Sequence, residues 1–204
     1  MKTILVTGFE PFGGEKINPS WEAVRRLPET LGDFAVEKLE LPVEFHRCAQ
    51  LAEAKALAVQ AAAVVCVGQA GGRPNMTVER VGINLMDARI PDNGGYQPTE
   101  EPIAEQGPAA YFSTLPVGKM LEAMRAAGVP AQVSLSAGAY VCNDLLYELL
   151  HRLSGRGIHI PVGFVHVPFI PAQVLEKPQP SMPLEQITAA LQAGLEELLR
   201  TFAP

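Results

Sequence analysis

Apolar positions along the chain fall into two alternating kinds of run. Short continuous runs at Thr3 to Val6, Ala62 to Val67, Ala131 to Leu135 and Ile160 to Val167 suit strands buried on both faces. Phe34 to Leu41 instead alternates apolar and polar residues, as a half-buried strand does. Between these lie helical patterns. Asn18-Pro19-Ser20 supplies a cap and a first-turn proline ahead of Trp21 to Leu27, and Phe45 to Gln60 is rich in Ala and Leu. Pro116 opens a helix over Val117 to Ala127 that Gly128 and Pro130 stop. A further helix begins near Cys142 and runs through Asn143 to Leu153, and Ser181 to Phe202 forms a long closing helix. Strands alternating with helices of this length predict an α/β fold, layered α/β/α around a largely parallel twisted sheet. Gln69 to Gly118 departs from the alternation. There Met76 to Met86 reads as a strand or hairpin, and Ala88 to Gln106 is crowded with Pro, Gly, Asp and Asn. Such a segment inside a compact domain is usually a functional loop or a subunit contact.

A chain of 204 residues suits a single domain spanning 1–204 and can bury a core without disulfide or metal staples. Sixteen basic residues face 22 acidic ones, a net charge of −6, and the basic residues form no run. That argues against binding to a nucleic-acid backbone. The longest apolar run, Ala61 to Gly68, falls far short of the ~20 residues of a membrane span. Met1 to Gly8 passes directly into a strand pattern without a signal-peptide apolar stretch, which points to the cytoplasm. Cys48, Cys66 and Cys142 are odd in number and widely spaced, so neither a disulfide framework nor a zinc site is implied.

Each thiol is then judged by its surroundings. Cys66 sits in Val64-Val65-Cys66-Val67-Gly68 and packs as a small hydrophobe, and Cys48 is a helix residue on an Ala-rich stretch. Cys142 follows a strand and the small-residue turn Ser136-Ala137-Gly138-Ala139, then opens an apolar helix. A thiolate there would be stabilised by the helix dipole and free N–H groups, lowering its pKa, and the same N–H groups suit an oxyanion. A buried helix-start cysteine fits the pattern equally well. Of four histidines, His46, His151 and His159 read as bystanders. His166 is the one polar residue at the end of an apolar strand, just before Pro168. Ligands in open α/β sheets sit beyond the carboxyl ends of strands, so His166 and Cys142 fit one crevice, although a core histidine is the alternative. Either Glu79 or Asp87 suits the acid that would orient the imidazole, and spacing does not choose between them. The turn Thr7-Gly8-Phe9-Glu10-Pro11-Phe12-Gly13-Gly14 lacks the lysine pattern of a phosphate loop and GxGxxG. Its phenylalanines would make an apolar wall. With Gly68-Gln69-Ala70-Gly71-Gly72-Arg73, it also keeps a non-catalytic nucleoside or phosphate binder in play.

Several ordered motifs together resemble the pyroglutamyl-peptidase I family, also called pyrrolidone-carboxylate peptidases. The resemblance is carried by Thr7 to Gly14 with Asn18-Pro19-Ser20, Gly68 to Arg73, Val78-Glu79-Arg80-Val81, Asp87-Ala88-Arg89-Ile90-Pro91-Asp92-Asn93, Gly107 to Pro116, Ala137 to Asn143 and His166-Val167-Pro168. It implies a cysteine exopeptidase that removes N-terminal pyroglutamate from peptides. The resemblance further implies no metal or cofactor, a single α/β domain like that of purine nucleoside phosphorylases, an intracellular site and a homotetramer. Carried over residue by residue, Cys142 would be the nucleophile, His166 the general base and acid, and Glu79 the orienting carboxylate. Phe9 and Phe12 would sandwich the lactam ring and Gln69 would hydrogen-bond to its amide. Arg89, with the N–H groups near Val141 and Cys142, would help hold the oxyanion. One departure stands out: Leu135 and Ala139 occupy positions where the family commonly has an amide and a hydroxyl, so bracing hydrogen bonds of that turn are expected to be missing.

Overall fold

The structure, a computed structural model, describes residues 1–202. Its elements follow in the order β1 (Lys2–Phe9), α1 (Pro19–Val24), β2 (Thr30–Leu31), β3 (Phe34–Leu41), α2 (Arg47–Ala58), β4 (Ala63–Gln69), β5 (Met76–Glu79) and β6 (Val81–Ile83). Then come β7 (Ala110–Phe112), α3 (Val117–Ala126), β8 (Ala131–Ser134), α4 (Val141–Gly155), β9 (Val162–Val167) and α5 (Leu184–Arg200). Seven strands form one sheet in the order β2-β3-β1-β4-β9-β5-β8, and β6 pairs with β7 in a separate ribbon. Strands β3, β1, β4 and β9 run parallel, whereas β5 pairs antiparallel with β9 and parallel with β8.

Alternation along the central strands divides the core in two. Ile4 and Val6 of β1, Val65 and Val67 of β4, and Val165 and Val167 of β9 pack with α1, α3 and α5. Leu5, Val64, Cys66 and Phe164 face the other way, onto α2 and α4. Three layers, α/β/α, result. Strands covered on both faces need apolar residues at every position, which explains the unbroken runs.

Boundaries differ from the pattern in instructive places. Helix α1 ends at Val24 because Arg26 and Leu27 donate to Ala23 and Val24, three residues back, and Pro28 follows. Met76 to Met86 is not one hairpin: β5 joins the main sheet, and after Arg80 the chain crosses to pair as β6 with β7. Helix α5 starts at Leu184 rather than Ser181, since Pro183 disfavours helical backbone at Met182 and Ser181 bridges to Phe169. Cys48 and Cys66 are fully buried.

Candidate active site

Strand β8 ends at Ser134, and the turn that follows delivers Cys142 to the first turn of α4. Gly138 takes φ 83, a backbone conformation glycine adopts without strain. Tyr140 stands in extended conformation at the N-cap and supplies no side-chain cap. Among the described residues, the N–H groups of Val141 and Cys142 donate to no protein acceptor, so both are free for a ligand's oxygen. Leu135 and Ala139 supply no side-chain hydrogen bond to the turn, as expected of these residue types, but other bonds brace it. Ser134 Oγ donates to Ser136 O at 3.1 Å, Gly138 N–H donates to Ser136 Oγ at 3.2 Å, and the Asp87 N–H reaches Ala139 O at 2.9 Å. Leu135 is 74% exposed and takes no part. Asn143, fully buried, locks the other side: its Oδ1 accepts from Ile83 N–H, and its Nδ2 donates to the carbonyls of Ile83 and Leu85, all within 3.0 Å. Sequence patterning carried no sign of this brace.

His166 comes from β9, flanked by Gly68 of β4 and Thr77 of β5. Thr77 and Glu79 share one face of β5 because side chains alternate with period two. Glu79, with no exposed surface, accepts from His166 Nδ1 at 2.8 Å and from Arg73 Nη1 at 2.7 Å through the same oxygen, Oε1. Arg73 also reaches Thr77 Oγ1 and Ser136 O, tying the carboxylate to the nucleophile turn. Burial pushes the Glu79 carboxyl up, but His166, Ser134 and Arg73 outweigh it and hold it below the ordinary range. An ionised carboxylate only accepts, so His166 carries its proton on Nδ1 and leaves Nε2 as the basic atom. For His166 burial dominates and lowers the pKa, with Glu79 opposing. The imidazole is therefore neutral at rest.

Cys142 corrects the expectation of an activated thiolate. Burial, reinforced by the charge of Glu79 and only partly opposed by Arg73, pushes its thiol up to about 12. The residue is half-buried at the cavity wall, and burial shifts its sulfur in the direction opposite to the one a helix N-terminus favours. No hydrogen bond joins Cys142 to His166 in the free protein, although both line one cavity. Gly68 is what lets Cys142 and Phe164 pack this closely on β4: a Cβ there would lie 2.9 Å from Cys142 Sγ and 2.6 Å from a ring carbon of Phe164.

That cavity, about 420 Å³, opens at the sheet edge. Phe9, Phe12, Gln69, Arg89 and Val141 all line it, as do Asp87 and Arg73, whereas Glu79 stands behind His166 and off the surface. Phe9 is almost wholly buried beside Phe164, with ring centroids 6.4 Å apart, and Phe12 leans on Tyr140 at 6.2 Å. Asn18 fixes the loop that carries them, donating to Glu10 O and accepting from Ser20, whose Oγ accepts from Phe9 N–H. Arg89 is exposed at the rim and forms no ion pair among the described residues.

Among the described residues, one cluster has the composition of a metal site: His46, Asp144 and Glu148. Its members are engaged with one another. His46 N–H donates to Asp144 Oδ2 at 2.7 Å, His46 Nδ1 pairs with Glu148, and Arg152 pairs with the same Glu148. His46 is thus no surface bystander but the partner of two buried carboxylates. His151 meets Tyr111 OH at 2.9 Å and stacks on Tyr147, a packing role.

Comparison with known proteins agrees with this architecture. The family model for pyroglutamyl peptidase matches residues 2–201. A pyrrolidone-carboxylate peptidase of Thermococcus onnurineus is 50% identical over 197 residues, covering 97% of this chain and 98% of that one. A pyrrolidone-carboxylate peptidase of Bacillus cereus is 46% identical, covering 96% and 92%. Among solved structures, pyroglutamyl peptidase I from Bacillus amyloliquefaciens superposes with a TM-score of 0.95 at 44% identity, covering 98% of each chain. Pyrrolidone carboxyl peptidase from Thermococcus litoralis gives 0.95 at 38%, covering 99% and 95%. With fold, length and sequence all shared, the chain belongs to the pyroglutamyl peptidase family of cysteine peptidases.

Proposed function

We propose that the protein hydrolyses the amide bond after an N-terminal pyroglutamyl residue of peptides through a thioacyl-enzyme, with Cys142, His166 and Glu79 as its triad. The observation that carries this is the 2.8 Å hydrogen bond from His166 to a fully buried Glu79, at a cavity whose wall holds Cys142 on a helix N-terminus with free N–H groups. As Sγ bonds to the acyl carbon, its proton passes to His166 Nε2, so the thiolate need never stand alone in its desolvated site. The N–H groups of Val141 and Cys142, with Arg89 at the rim, hold the tetrahedral oxyanion. Collapse expels the peptide amine, which takes the proton from His166, and leaves a thioester. Water attacks the thioester carbon, giving its proton to His166. Release of pyroglutamic acid returns the thiol.

Phe9 and Phe12 form the apolar walls for the lactam and Gln69 its polar contact. A pyroglutamyl group has no ammonium, so such a slot accepts it and penalises an ordinary N-terminus, whose charge would be buried without a partner. Single-domain organisation over 1–204 and a cytoplasmic site, read from chain length and the N-terminal segment as well as the resemblance, and a homotetramer, which rests on the resemblance alone, belong to the same reading. The test is fluorophore release from a pyroglutamyl-aminocoumarin amide, with the prolyl amide as control and with iodoacetamide as inhibitor. Thiol-sensitive turnover of the first substrate alone is expected. Equal turnover of both, or turnover that survives prolonged incubation with excess iodoacetamide at alkaline pH, refutes the assignment.

A further inference from the structure

Alternation along β4 puts Gly68 on the α4 face with Cys142 and Gln69 on the opposite face. Gln69 therefore leaves the strand on the side away from the nucleophile, yet lines the same cavity. What holds it there comes from beyond β9, where the chain makes a short 3-10 turn at Pro171–Gln173. Gln173 is buried, and its Oε1 accepts from Ile170 N–H at 3.1 Å. Its Nε2 donates to Gln69 Oε1 at 2.8 Å, with Glu15 Oε2 and Ile17 O each at 3.4 Å. One donor and three acceptors thus surround this amide. Turned over, it would set N–H against N–H at Ile170 and oxygen against the Glu15 carboxylate and the Ile17 carbonyl, so a single orientation satisfies it.

The consequence falls on Gln69. Its Oε1 is consumed by Gln173, and Nε2 is the polar atom left for a ligand. A wall that offers N–H at that point complements a carbonyl oxygen. We propose that Gln173 is a positioning residue that fixes which end of the Gln69 amide faces the cavity, and so sets the site to read the ring carbonyl of the lactam. This rests on the reading of Gln69 as the lactam contact. It also gives the discrimination a physical cause: a prolyl ring lacks the carbonyl and leaves the oriented N–H unpaired.

The test is kcat and KM for pyroglutamyl- and prolyl-aminocoumarin amides, from about pH 5 to about pH 8, with wild type, Gln69→Leu, Gln173→Met and Gln173→Glu, each with its Tm. The ionised carboxylate introduced by Q173E still accepts from Ile170 but offers Gln69 only oxygen, so Gln69 turns its NH2 toward it and meets the lactam carbonyl with its own oxygen. That carboxylate also faces the Glu15 carboxylate and the Ile17 carbonyl, which raise its pKa, so every Q173E outcome is read with Glu15→Gln alongside, against an E15Q control. KM for the pyroglutamyl amide should rise about 10- to 100-fold at the upper pH with kcat changed far less. It should fall back toward wild type as the introduced carboxylate takes up a proton that it then donates to Gln69. Gln173→Met removes the orientation without reversing it, so KM rises about 3- to 10-fold at all pH values. Folded Q173E with wild-type KM, or with a KM rise that does not depend on pH beyond that of Q173M, overturns the proposal. Failure of the underlying reading looks different: wild-type KM in Q69L removes the Gln69 contact itself, and the role of Gln173 with it.

Discussion

Replacing Gly68 by Ala probes the site at its tightest point. The added Cβ would meet Phe164 Cζ at 2.6 Å, Phe164 Cε1 at 2.9 Å and Cys142 Sγ at 2.9 Å, all well inside van der Waals contact. The two neighbours do not yield equally. Phe164 is fully buried between β4, α4 and Phe9, whereas Cys142 borders the cavity and has open space on that side. The sulfur therefore moves more easily than the ring, by several tenths of an ångström. Overpacking of this kind costs about 1–3 kcal/mol, and because the shortest contact falls on the immobile Phe164 ring the upper end applies. At ~2–4 °C per kcal/mol for a chain of this size, Tm falls by roughly 6–12 °C. Activity suffers as well, since a nucleophile misplaced by up to ~1 Å costs about 10²-fold. The assay pairs kcat/KM for the pyroglutamyl amide with thermal melts of G68A, C142A and the double variant. Because C142A removes one of the clashing atoms, the melting penalty of G68A should be smaller in that background. Full activity in G68A, or equal penalties in both backgrounds, would show that Sγ is not held against Gly68.

The same geometry bears on the triad and on the buried acid of α4. Glu79→Gln keeps shape but removes the charge facing the imidazolium, an attraction of about 4 kcal/mol at an effective dielectric near 20, so kcat/KM should fall about 10³-fold. Glu79 raises the His166 pKa, so the acid limb of the pH–rate profile should also move to lower pH; an unmoved limb with a rate within about tenfold of wild type counts against the triad. Cys142→Ser and His166→Ala should each abolish turnover while circular dichroism and cooperative melting persist, and near-normal turnover in either removes the assignment. Asp144 is buried beside Glu148, and burial followed by that neighbour's charge raises its pKa to about 7. A folded-state pKa above the unfolded value means stability that is full below about pH 4 and is lost as pH rises through about 7. Asp144→Asn should flatten that part of the Tm-against-pH curve, and an unchanged slope would exclude Asp144 as its source.

How much of this was legible beforehand depends on whether a feature belongs to one element or to several. The layered α/β fold was readable because β1, β4 and β9 are covered on both faces and so are apolar throughout. Phe34–Leu41 matched its strand to the residue, although it buries Phe34 and Val36 on one face and Leu41 on the other rather than a single face. Ribbon β6–β7 was not legible: Val81–Ile83 and Ala110–Phe112 are three residues each, too short for any period to show. At the site, strand, turn and helix start, all local, marked Cys142 as a candidate without separating a nucleophile from a buried helix-start cysteine. A signal for Glu79 over Asp87 was also present, because Thr77 and Glu79 form the polar face of a strand whose other face is Met76 and Val78, whereas Asp87 lies outside any strand.

What the sequence concealed was made by contact across elements. His46 looked like a surface residue because its two carboxylate partners lie on α4, about a hundred positions away. Gln173 holds Gln69 across 104 positions, and no spacing rule connects a 3-10 turn with a strand end. The protonation state of Cys142 is the sharpest instance. A helix N-terminus is visible in sequence and argues for a thiolate, whereas burial of the sulfur is visible only in three dimensions and argues for a thiol. Burial raises the Cys142 pKa, and the proposed mechanism accordingly has proton transfer to His166 accompany attack rather than precede it. The thiol should therefore react sluggishly with a small alkylating agent when the cavity is empty, and the rate of that alkylation should track the ionisation of Cys142 rather than that of His166. Iodoacetamide kinetics against pH measure this directly. A rate that keeps rising above about pH 8.5 fits the buried thiol, and a plateau beginning near neutral pH would mean that a thiolate–imidazolium pair exists before substrate arrives.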